Sequence, residues 1–103
     1  MPQPTSFGRT ASGTAWSRFG TGKPIVLIHG VGMCQEYWAP QVHDLMESYE
    51  VITYDMWGHG RSMVDPDATT LSDFAHQLDD LLTSLGLAAV HLAGHSQIGR
   101  AHV

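Results

Sequence analysis

The chain has 103 residues, enough for one small core, and its 43% hydrophobic and 15% charged content excludes a disordered tail. Net charge is −5, and the five Lys and Arg residues are scattered, which excludes a nucleic-acid stripe or an anionic-membrane surface. The single cysteine, Cys34, excludes an internal disulfide. With no apolar leader and no run long enough to span a bilayer, it sets a cytoplasmic expectation.

In chain order, the opening dozen residues are rich in Pro, Ser, Thr and Gly and are expected to be loose. Thr14 to Phe19 is a weak strand candidate, and residues 20–24 (GTGKP) read as a turn. Pro24 to Ile28 is wholly apolar and rich in β-branched residues, which suits a strand buried on both faces of a parallel sheet. Gly30-Val31-Gly32 breaks it. From Glu36 to Ser48, apolar residues recur at helical spacing, with Pro40 tolerable only in a first turn.

Glu50 to Tyr54 is a second β-branched strand, closed by Asp55, and residues 58–62 (GHGRS) are loop. Leu71, Phe74, Leu78, Leu81, Leu82 and Leu85 outline an amphipathic helix. Thr70 stands at its N-cap position and Gly86 just past its end. Ala88 to Ala93 is a third apolar strand, running directly into Gly94. Alternating strands and helices predict an α/β fold with a mostly parallel sheet, flanking helices and right-handed crossovers.

Three stretches follow the C-terminal ends of these strands, the edge where open α/β sheets bind ligands. They are His29-Gly30-Val31-Gly32, residues 55–62 (DMWGHGRS) and Gly94-His95-Ser96. A nucleophilic serine on a strand-to-helix turn needs small neighbours, because the backbone bends sharply. The helix that follows offers free N–H groups to a developing oxyanion, and a loop after an adjacent strand offers another.

With V-L-I-H-G followed by Trp38, Y-D-M-W-G-H-G-R-S and L-A-G-H-S in that order, the chain resembles the α/β-hydrolase superfamily over roughly Gly20 to Ser96. The resemblance implies the N-terminal part of that fold, with Ser96 as nucleophile. It implies backbone N–H donors at Val31 and at position 97, here Gln97. His29 and residues 55–62 then shape the floor of the site. The implied activity is cleavage of an ester, lactone or related acyl bond in a small molecule, without cofactor or metal. The family's general-base histidine and acid lie on later strands, beyond this chain. None of the seven histidines present is placed to complete a triad, so the 103 residues alone are expected to be inactive.

Other readings explain less. A dinucleotide-binding fold would use Gly30-x-Gly32 and Asp55, but position 35, where a third glycine belongs, is Gln35. A hydrolase-fold module that binds ligands without turnover would leave Ser96 idle. His43 and Glu47 share a helical face but lack a third ligand, and nothing near Cys34 would activate its thiol.

Ile98 replaces the second glycine expected after the serine, where a β-branched side chain would press on the incoming strand. Ile98 to Val103 (IGRAHV) is also the translation of ATC GGA AGA GCA CAC GTC, the start of a common short-read sequencing adapter. The preceding adapter bases, AG, complete a CAG codon for Gln97. Native sequence is therefore expected to end at Ser96, with residues 97–103 non-native.

Overall fold

The computed structural model describes residues 2–29, 34–55, 71–87 and 90–94. In chain order these form β1 (Ser6–Arg9), β2 (Ala15–Phe19), β3 (Lys23–Ile28), a 3-10 turn (Gln35–Trp38), α1 (Ala39–Leu45), β4 (Tyr49–Tyr54), α2 (Leu71–Ser84) and β5 (His91–Gly94). The strands make one sheet in the order β1-β2-β4-β3-β5. β3 pairs in parallel with both β4 and β5, whereas β2 runs against its neighbours β1 and β4. Four of the five strands thus share one direction, the mostly parallel sheet read from the alternating pattern.

β4 lies on one side of β3 and β5 on the other, so the two crossovers travel in opposite directions along the sheet. Crossovers of one hand then require helices on opposite faces. The core is divided accordingly. Val26, Ile28, Ile52 and Tyr54 pack with Leu78 and Leu81 of α2 on one face. Leu27 and Val51 pack with Phe19, Trp38 and Val42 of the α1 layer on the other. Alternate residues of β3 and β4 serve opposite layers, which is why both strands read as continuous apolar runs.

The sequence expectation shifts at β5, which is His91–Gly94 rather than Ala88 to Ala93, and at β3, which takes in Lys23 of the expected turn; two larger differences follow. The opening residues are not loose: Ser6 to Arg9 pair with Arg18 to Ala15 as β1. The connecting turn is closed by Thr10 N–H to the Thr14 carbonyl (2.9 Å) and Gly13 N–H to the Thr10 carbonyl (3.0 Å). This strand is held by its backbone ladder, and its side chains are largely exposed, with Phe7 at 72%. It therefore carries no burial pattern for a sequence reading to detect. The helix expected from Glu36 is split into the 3-10 turn and α1, with Pro40 in the first turn of α1. Proline is accepted there because that turn's N–H groups have no helical partner.

α2 ends as the sequence predicts. Gly86, at φ 72°, follows it, with Gly86 N–H bonded to the Thr83 carbonyl (3.1 Å) and Leu87 N–H to the Leu82 carbonyl (2.9 Å). That pair of bonds is a Schellman closure, and Leu82 and Leu87 both pack against the same core. The expected N-cap Thr70 lies outside the described residues. No helix among the described residues is long and apolar enough to cross a membrane.

Candidate active site

β3, β4 and β5 end at one edge of the sheet, in register: Leu27 stands beside Thr53, and Ile28 beside Gly94. The residues that follow β3 and β4, His29 and Asp55, are fully buried. Neither is a free acid or base at a surface. α1, which follows β3, and α2, which follows β4, pack on opposite faces of the sheet, the arrangement in which open α/β sheets bind ligands at their strand ends.

Asp55 is the best-connected group at this edge. Its Oδ1 accepts the backbone N–H of Gln35 at 2.7 Å, and its Oδ2 accepts Gln35 Nε2 at 3.1 Å. Gln35 Oε1 in turn accepts the hydroxyl of Thr53 at 2.7 Å. Gln35 opens the 3-10 turn, and Cys34 ahead of it supplies no side-chain cap. The carboxylate that follows β4 therefore caps an element that follows β3, satisfying one of its orphan N–H groups.

The backbone of Asp55 is fixed as well. Its N–H donates to the Ala15 carbonyl (3.0 Å), and its carbonyl accepts Gln77 Nε2 of α2 (3.1 Å). Gln77 Nε2 also donates to Thr14 Oγ1 at 2.9 Å. One residue thus joins the α1 layer, the sheet and α2. A charged group buried this deeply is tolerable because its oxygens are paired.

The other candidates fall into place around it. Burial pushes the Cys34 thiol above its ordinary pKa, and a hydrogen bond to the Glu36 side chain pushes the same way. The thiol is therefore not activated, in line with the sequence expectation. Donor atoms of Cys34, Glu36 and Asp55 lie within 4.8 Å of one another. Asp55 is already engaged by two Gln35 donors, so the cluster is a poor cage for a cation. His43 and Glu47 are exposed on the solvent side of the α1 region, with His43 Nδ1 at 3.7 Å from Asp44 Oδ1.

A groove of about 620 Å³ lies on the α1 side of β1 and β2, with Phe7, Ala15, Phe19, Gln35 and Glu36 in its lining. Its lining includes neither His29, Asp55 nor β5. Ser96, Val31 and Gln97 lie outside the described residues, as do residues 56–62.

Sequence reasoning found Asp55 but missed its partners. Gln77 carried a signal: a polar residue on the stripe of Phe74, Leu78 and Leu81, fully buried in the structure. Thr53, fully buried between Ile52 and Tyr54, carried a similar one. Gln35 gave none beyond its failure to be glycine.

A family model described as alpha/beta hydrolase fold matches residues 23–99. The (E)-2-((N-methylformamido)methylene)succinate hydrolase of Acinetobacter baylyi is 46% identical over 77 residues, covering 75% of this chain and 29% of that protein. A bromoperoxidase from Bacillus anthracis superposes with a TM-score of 0.80 at 39% identity, covering 85% of this chain and 32% of the other. The enol-lactonase of Burkholderia xenovorans LB400 gives a TM-score of 0.80 at 25% identity, over 88% of this chain and 37% of its own. The chain therefore spans about a third of the length of the proteins it matches. Motif order, sheet topology and the match over residues 23–99 agree: the chain belongs to the alpha/beta hydrolase fold family.

Proposed function

We propose that the full-length protein is a serine hydrolase of a small-molecule ester, lactone or related acyl bond, with Ser96 as its nucleophile. The observation that carries this reading is the register of Ile28 with Gly94. Val31 comes three residues after Ile28 and Ser96 two residues after Gly94, so both leave adjacent parallel strands at the same edge. A nucleophile and an oxyanion donor from neighbouring strand ends are what acyl transfer needs.

In the proposed reaction, Ser96 Oγ forms a bond to the acyl carbon while a histidine beyond these residues takes its proton. The N–H groups of Val31 and of the residue at position 97 hold the negative carbonyl oxygen. The C–O bond to the leaving group then breaks, and the histidine returns the proton to the departing oxygen. Water attacks the acyl-serine in the same manner and releases the acid. No cofactor or metal enters. The hydrolase and lactonase named among the relatives support the chemical class, with a small molecule as the partner.

Two features of Asp55 weigh against the dinucleotide alternative. It is fully buried, and its carboxylate is engaged by Gln35, whereas a ribose-binding acid must present its oxygens to a ligand. The test is hydrolysis of p-nitrophenyl acetate by the full-length protein. Ser96→Ala is expected to lower kcat/KM by about a thousandfold or more. Unchanged turnover in that variant, or nicotinamide dinucleotide binding without hydrolysis, would overturn the reading.

A further inference from the structure

We infer that Gln35 is a positioning residue for the oxyanion-binding loop. The inference rests on the serine-hydrolase reading above. Residues 30–33, Val31 among them, connect His29 at the end of β3 to Cys34 at the start of the 3-10 turn. His29 is anchored by burial at the strand end. At the other end Gln35 makes three bonds: its N–H and Nε2 donate to Asp55, and its Oε1 accepts from Thr53.

The Gln35 side chain is fully buried, and its amide fits both neighbours in one orientation only. It must donate to a carboxylate and accept from a hydroxyl, so the loop's far end is fixed in rotation as well as position. Gln35 follows Val31 by four residues in the chain, and a displacement of a reacting or binding group by about 1 Å can cost about a hundredfold in rate. Asp55 does not touch substrate in this scheme. It is the post to which Gln35 ties the loop.

Gln77 supplies the internal control. It is equally buried and also binds Asp55, but through the backbone carbonyl and from the α2 side. A purely structural role would make Gln35 and Gln77 equivalent. In the full-length protein, Gln35→Leu is expected to lower kcat for p-nitrophenyl acetate about tenfold or more at a KM changed less than about twofold. The rate of phosphonylation of Ser96 by a fluorophosphonate should fall in parallel. Gln77→Leu should lower the melting temperature by a comparable amount while leaving kcat within about twofold of wild type.

A charge-conserving exchange guards against a misfolded single variant. Asp55→Asn alone sets two amide donors against each other at the 3.1 Å contact. Adding Gln35→Glu reverses donor and acceptor, so the amide at 55 donates to the carboxylate at 35, which still accepts from Thr53. The double variant should recover at least about half of the kcat lost in Asp55→Asn. Equal loss of kcat in Gln35→Leu and Gln77→Leu, or no recovery in the double variant, overturns the positioning role. If the wild-type protein neither turns over the ester nor labels at Ser96, the hydrolase reading falls, and the positioning role with it.

Discussion

Buried Asp55 concentrates the energetics of the strand-end edge in one side chain. Removing it strands the Gln35 N–H, Gln35 Nε2 and the cap of the 3-10 turn together. Asp55→Ala should therefore destabilise the full-length protein by about 3 kcal/mol, read from urea denaturation. A loss below about 1 kcal/mol would show that the network is not maintained in solution. Tyr54, one residue earlier, makes a pH prediction. Burial pushes its phenol well above the ordinary value. The folded protein therefore holds this proton more tightly than the unfolded chain, and the resulting stability is fully present below about pH 10. It is lost as the pH rises toward the elevated folded value. Tyr54→Phe should flatten the alkaline fall in stability, and an unchanged slope would assign that fall to other groups. The asymmetry of legibility is physical at this scale. Asp55 is visible because it closes an apolar strand, whereas Gln35 meets it only through a contact between residues 20 apart, which no local period encodes.

Among the elements, two glycine turns separate conformational strain from steric collision. Gly86 and Gly20 share a φ of 72°. A side chain at Gly86 would enter open space, while one at Gly20 would collide with the carbonyl oxygens of Met46 and Tyr49. Gly86→Ala is expected to cost about 1 kcal/mol, the strain of a left-handed residue alone. Gly20→Ala adds the collision and should cost at least about twice as much. Equal urea midpoints would contradict the close approach of the β2–β3 turn to the start of β4. β3, β4 and α2 were legible because each buries a periodic face against a neighbour. β1 was not, because Phe7 and its neighbours face outward and the strand is held chiefly by its main-chain ladder. Pro40 marked the start of α1, but the 3-10 turn before it depends on a cap supplied by Asp55, which follows β4.

At the scale of the whole molecule, β5 stands at the border of the sheet among the described residues, with Leu92 and Ala93 only half-buried. An apolar strand with an unpaired side is a template for association. The 103-residue chain on its own is thus expected to aggregate and to lack both a cooperative monomeric unfolding transition and esterase activity. Calorimetry with light scattering checks this, and a reversible monomeric transition would contradict it. The three-motif order made the fold legible at this scale. We place the base and acid of the proposed triad on later strands of the full-length protein. The most direct measurement is peptide mapping of the full-length protein after reaction with a fluorophosphonate. A single adduct on Ser96, abolished by Ser96→Ala, is the expected result. An unlabelled Ser96 in active protein, or an adduct on another serine, would contradict its role as the nucleophile.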